Sequence, residues 1–183
     1  MPMRTINVGT IVAYSTDNAQ QGNSTAEFDI MNYTLPAGVI RVGDFWEILI
    51  PGRNWNNSGA GVTLRYRLYI GGSLIADSGA SDTLPSSANR PYVLRWSGFL
   101  KTIAETQSRW ELYQTLEAQA AETEWQALST AGEIRVGGNS TPFTTSFASA
   151  VTFRATVTMG TANAGCIIVT DGWRFNRYRL GGE

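Results

Sequence analysis

The most specific chemistry this 183-residue chain offers lies in five consecutive residues, Arg53-Asn54-Trp55-Asn56-Asn57. An indole presents a flat apolar face that stacks on a sugar ring, and flanking amides donate to and accept from the sugar hydroxyls. The same run also suits a structural role, in which Trp55 closes one end of a core and the asparagines supply turn geometry. It is carried forward as a possible glycan or partner contact within a long polar loop, Gly52 to Gly61. A second run interleaves Trp173, Phe175 and Tyr178 with Arg174, Arg177 and Arg179. That pattern stacks bases and contacts phosphates in single-strand binders. The formal net charge of -1 opposes this use, since it provides no basic field for nucleic acid or for anionic lipid. A last strand packed on the core, with arginines along an interface, accounts for the run with neither nucleic acid nor membrane as partner.

Catalytic groups are scarce. The chain has no histidine, which removes the commonest general base and the commonest zinc ligand. Its one cysteine, Cys166, forms no Cys/His metal cluster and no intrachain disulfide. Cys166 opens the apolar run Cys166-Ile167-Ile168-Val169, which reads as a buried, inert thiol. Neither a Gly-x-Ser-x-Gly elbow nor a phosphate-binding glycine loop occurs. A glycosidase needs only two carboxylates across a cleft, and Asp29, Asp44, Glu47 and Glu111 are candidates among fifteen acids. Acids alternating along a strand more often form a solvated face. The expectation is a non-enzyme with no metal and no cofactor. Glycosylation-type triplets such as those beginning at Asn23, Asn56 and Asn139 are explained by chance in a chain this rich in Asn, Ser and Thr.

The elements that would position these residues are β-strands. Gly is high at 19 and charged residues are only 16%, a turn-rich composition of one domain's length. Thirteen of the fourteen basic residues are Arg, which favours fixed bidentate contacts over solvation. A bias of the source genome would give the same excess. Val62, Leu64, Tyr66, Leu68 and Ile70 alternate strictly with polar or amphipathic neighbours, the pattern of one buried and one wet face. Gly71-Gly72 is a hairpin turn, and Ser73 to Asp77 returns. Val39 to Pro51, interrupted at Gly43-Asp44, places Trp46, Ile48 and Ile50 on one face. Tyr92 to Ala104 aligns Tyr92, Leu94, Trp96 and Leu100. Ser146 to Gly160 aligns Val151, Phe153, Ala155, Val157 and Met159. Cys166 to Thr170 and Trp173 to Leu180 close the domain. A strand is expected over 109–119, and a short helix remains open near 120–130. Some eight to ten short strands with turns between them suit an all-β antiparallel sandwich, jelly-roll-like. Tyr66, Leu68, Trp96, Phe153, Val157 and Ile167 are expected to point inward.

Residues 1–25 are read separately from the sandwich at 26–183, as an N-terminal arm or a first strand. Ile6 to Tyr14 suits a strand, whereas Ser15 to Thr25 reads as a flexible polar loop. Met1-Pro2-Met3-Arg4 shows no signal-peptide apolar core and no stretch approaches the roughly 18 apolar residues of a membrane helix, so synthesis in a cytoplasm is expected.

The run Thr34-Leu35-Pro36-Ala37-Gly38-Val39-Ile40-Arg41-Val42-Gly43-Asp44 resembles the "TLPAGtlkvGD" opening of small virion structural proteins of tailed phages. That family continues with an Asn/Ser/Gly loop and a "TLRLRLGGTTIATSG" hairpin, which Asn56-Asn57-Ser58-Gly59 and then Thr63 to Gly79 resemble. Val151 to Val169 resembles its end. The likeness spans roughly residues 34 to 170 and rests on turn and strand motifs. It implies a jelly-roll-like sandwich on a bacteriophage virion, as a capsid decoration or tail-fibre protein, and a homotrimer. Its partners would be other virion proteins, the major capsid protein foremost. The segments before 26, at 105–130 and at 173–179 depart from the family pattern, and partner choice is expected to differ there. A decoration role is favoured by the short chain, the lack of a heptad stem and the polar arm, with recognition of a host surface glycan as the alternative.

Overall fold

The structure is a computed structural model and describes residues 9–79, 88–102, 105–114, 133–138 and 147–179. The described residues contain strands and no helix. The strands are β1 (Thr10–Ser15), β2 (Ala19–Gly22), β3 (Phe28–Leu35), β4 (Asp44–Asn56), β5 (Leu64–Ile70), β6 (Ser73–Asp77), β7 (Ala88–Thr102), β8 (Glu105–Gln114), β9 (Glu133–Gly138), β10 (Val151–Met159), β11 (Cys166–Thr170) and β12 (Trp173–Arg179).

Two antiparallel sheets form from them. The large sheet runs β1-β12-β4-β7-β8-β9, with β11 also on β4 and β2 on β11; the small sheet runs β3-β10-β5-β6. The pairing is nested: β1 meets β12, β2 meets β11 and β3 meets β10. An antiparallel ribbon rolled on itself gives this nesting, and it is the jelly-roll-like arrangement expected from the strand count and the resemblance. The long strand β4 is the axis of the large sheet. One side carries β12 along its first half and β11 along its second, while β7 lines the whole of the other side.

The inner faces meet through aromatic side chains. Trp46, Ile48 and Ile50 of β4, Tyr92, Leu94 and Trp96 of β7, and Phe153, Ala155 and Val157 of β10 are buried, as the period of two requires. Trp46 and Trp96 meet edge to face at 5.2 Å, and Phe153 meets Phe175 the same way at 5.1 Å. Such pairs add about 0.5–1.5 kcal/mol beyond burial. Gly98 allows the close contact, since a Cβ there would run into the Trp46 indole. The β5–β6 hairpin turns at Gly71 and Gly72, both with positive φ (56° and 83°), the geometry of a type I′ turn that glycine adopts without strain.

Several expected boundaries move. β4 does not stop at Pro51 but runs to Asn56, so the expected polar loop from Gly52 begins as strand. Polar residues are tolerated there because the inward Asn54 Nδ2 and both amide atoms of Asn56 find partners, which overrides weak β-propensity. Residues 39–43 precede the strand instead of starting it. Within the expected loop Ser15 to Thr25, Ala19–Gly22 is a strand on β11. Ile167 is only half-buried, while Cys166 and Ile168 take the inward positions. A one-residue offset reverses every side chain of a strand, and an all-apolar run gives no alternation from which to fix it. The strand expected over 109–119 begins earlier, at Glu105, and is described to Gln114, with 115–119 outside the described residues. The proposed helix near 120–130 lies outside the described residues, as does the side chain of Leu100.

Candidate functional site

The residues Arg53 to Asn57 divide between two faces. Arg53 and Trp55 point outward from β4, and Trp55 is 52% exposed. Asn57, exposed, follows the strand and its backbone N–H donates to the Gly165 carbonyl at 2.8 Å. Asn54 and Asn56 are fully buried. Asn54 Nδ2 donates to Tyr66 Oη at 2.7 Å, and Asn56 Nδ2 donates to the Ala60 carbonyl at 2.8 Å. Asn56 Oδ1 accepts from Ser58 N at 3.1 Å. These two amides hold the end of the sandwich, so a ligand at Trp55 would meet the indole, Asn57 and the Arg53–Asp171 ion pair (3.2 Å). Opposite Trp55 on β11 stands Ile167.

The acids considered for catalysis are used elsewhere. Asp29 accepts from Arg154 Nε at 2.6 Å. Asp44, 2% exposed, accepts from Arg179 through both its oxygens at 2.9 Å. Burial pushes its carboxyl up, but Arg179, the Arg41 backbone N–H and the nearby Arg177 charge outweigh this and hold it below the usual range. Glu47 accepts from Arg95 at 2.7 Å and from Asn176 and Tyr178 at 3.3 Å. Asp44 and Glu47 belong to opposite faces of β4. Glu111 lies in β8 with its backbone opposite Arg95, and its side chain is outside the described residues. In the C-terminal run, Phe175 is core, Trp173 packs on Tyr33, and Tyr178 packs on Phe45. Arg177 donates to the Val39 carbonyl and Arg179 to Asp44.

A feature the sequence reading missed lies on the same sheet as Trp55. The outer face of the large sheet holds an apolar groove of about 560 Å3 lined by Ile11, Tyr14, Leu49, Pro51, Val93, Trp173 and Arg174. Ile11 is 55%, Tyr14 69% and Val93 39% exposed. Ile11 and Tyr14, three residues apart, would face opposite ways on a regular strand. A bulge between Ile11 and Ala13 adds one residue, so Ile11 pairs with Asn176 and Tyr14 with Arg174, both on the outer face. Bulges re-aim side chains in this way. One signal was present in the sequence: Phe45 to Ile50 is apolar in both registers except at Glu47, the mark of a strand covered on both sides.

The outer face of the small sheet is different. Arg65, Arg67 and Arg154 meet Asp77, Glu27 and Asp29 in a continuous network, with Arg154 over the Tyr69 ring at 5.2 Å. Hydrogen bonding from Arg65 takes the Asp77 carboxyl down to about 2. Burial pushes the Glu27 carboxyl up, but hydrogen bonds from Thr156 and Tyr69 and the charges of Arg154 and Arg67 bring it below its ordinary value. Each charge on this face is met within the chain.

No known protein-family model matches the chain, and no curated protein matches it. Among solved structures it is similar to the CBM2 module of the evolved Dit of Lactobacillus casei BL23 phage J-1, at 10% identity and a TM-score of 0.41, covering 83% of this chain and 70% of that one. It is also similar to the structure of infectious bursal disease virus Gx strain, at 10% identity and a TM-score of 0.36, covering 97% of this chain and 43% of that one.

Proposed function

We propose that this protein is a non-catalytic structural component of a tailed-phage virion, acting as a capsid decoration protein. The observation that carries the reading is the exposed apolar strip on the large sheet, from Ile11 and Tyr14 across to Val93. Contiguous apolar surface on one face, with a charge-paired face opposite, fits a protein that sits on another protein. The turn and strand motifs from Thr34 to Val169 resemble those of phage virion proteins and supply the setting. A decoration protein binds the assembled shell and not its free subunits, so it stabilises the shell by mass action. The partner is the major capsid protein, the protein itself is a homotrimer, and it reaches the virion after synthesis in the host cytoplasm.

Copy number tests the position. Hundreds of copies per particle, from quantified bands of purified virions, are expected; a dozen or fewer would place the protein in the tail. Light scattering of the purified chain at micromolar concentration is expected to give the trimer mass, and a monomer both free and on the particle overturns that element. A second reading, recognition of a host surface glycan by a tail-fibre or receptor-binding protein, is favoured by the half-exposed Trp55 beside the Arg53–Asp171 pair. Trp55→Ala separates them: adsorption to host cells falls at least tenfold under the glycan reading and is unchanged under the decoration reading.

A further inference from the structure

Among the described residues Arg174 brings the one cation to the lining of the apolar groove, near the Tyr178 phenol. Its side chain is exposed, and no carboxylate of the described residues lies within ion-pair distance of it. Seven of the other eight arginines whose side chains are described have a carboxylate or carbonyl partner, the exception being Arg41 outside the groove. The groove's one acid, Asp171, is taken by Arg53 at 3.2 Å. Among the described residues the groove is thus apolar with one positive charge that no carboxylate meets. Its lining comes from β1, β12, β4 and β7, four adjacent strands. Three spacings of about 4.8 Å give it a length of about 14 Å, which about four residues of extended chain would fill.

We infer that this groove takes an extended segment of a neighbouring virion protein in which apolar side chains flank an aspartate or glutamate, with the carboxylate on the Arg174 guanidinium. The inference rests on the proposed assembly role and names the chemistry of the partner. Apolar flanks would cover Ile11, Tyr14 and Val93, which solvent now covers. The guanidinium fork matches a carboxylate bidentately, and the surrounding apolar lining strengthens that pair by excluding water. A segment carrying Lys or Arg would place like charges together in the same low-dielectric groove, which selects against it.

The test pans a random octapeptide display library on the full-length chain and on Arg174→Glu. The chain should enrich peptides with an acid between apolar residues, and Arg174→Glu should lose them and enrich basic ones. One enriched peptide, synthesised with its acid and with the corresponding amide, should bind the chain roughly ten- to hundredfold more tightly as the acid. Val93→Asp should abolish binding of both. Arg174 and Val93 are at the surface, so unchanged melting temperatures will show that both variants fold. No enrichment, no preference for acid, or enrichment indifferent to Arg174→Glu would overturn the inference. Peptide binding by a chain that is absent from purified virions would overturn the assembly reading and leave the groove's specificity standing. A chain present on virions whose Arg174→Glu variant occupies them equally would do the reverse.

Discussion

The outer faces of the two sheets belong to one fold and obey the same alternation, yet only the large sheet adds an exposed apolar strip to its ion pairs. On the small sheet, outward residues of β5, β6 and β10 are Arg65, Arg67, Asp77 and Arg154, each paired across strands. On the large sheet, outward residues of β1, β4 and β7 include Ile11, Tyr14, Leu49, Pro51, Trp55 and Val93 beside the Glu47–Arg95 and Arg53–Asp171 pairs, and among the described residues Arg174 of β12 has no carboxylate partner there. A charge-paired face has satisfied its groups internally and gains little from a partner, since exposed ion pairs are worth only about 0–1 kcal/mol each. An apolar face gains about 25 cal/mol for every Å2 it removes from water. The difference teaches which face of this all-β domain has more to gain from covering by a partner.

The largest effect should follow deletion of residues 1–22, which removes β1 and β2 and uncovers the edges of β12 and β11. Val12 and Ala13 pack on the core, so the loss should exceed about 3 kcal/mol, roughly 6–12 °C in Tm for a chain of this length. Scanning calorimetry and size-exclusion chromatography measure it. A truncated chain that melts normally and merely fails to bind particles would show that the segment is an arm attached to an independent sandwich. Phe153→Ala comes next. Phe153 touches Trp46, Trp96 and Phe175 of the opposite sheet, and its loss should cost about 3–5 kcal/mol in chemical denaturation. Both faces should lose order in one transition, because they share this core.

The comparison itself is broken or kept by a pair of surface changes. Val93→Asp on the large sheet should abolish particle binding, while Thr34→Arg on the small sheet should leave it intact, with both within about 0.5 kcal/mol of the parent in stability. Equal effects on particle occupancy would end the distinction between the faces. The smallest effect is acid sensitivity of the small-sheet network. Asp77 is depressed to about 2 from 3.8, so its contribution is complete above its unfolded value and is lost as pH falls through 2. The destabilisation caused by Asp77→Asn should therefore be full at pH 6, shrink from about pH 4 and vanish only below about pH 2. A pH-independent difference in Tm would assign the effect to packing and not to charge.

The sequence by itself determined the strands with strict alternation. In Val151 to Met159 and Leu64 to Ile70 every second residue is apolar, and only an extended strand with one buried face uses that period, so these strands and their inward residues were legible without a structure. The Gly71-Gly72 turn was legible for the same local reason, since two consecutive positive φ values call for glycine. The site was legible only in part. Trp55 and Arg53 were picked out by type, but Asn54 and Asn56 next to them serve the interior through Tyr66 and Ala60, partners 12 and 4 residues away. Ile167 lost its expected inward position because an apolar run has no phase of its own and takes it from the strands on either side. The apolar groove was decided by tertiary structure alone. Its lining comes from positions 11 to 174, and the bulge that turns both Ile11 and Tyr14 outward exists only where β1 is matched against β12. Alternation is a property of one strand and can be read along the chain; a surface is a property of several strands side by side, and only their register composes it.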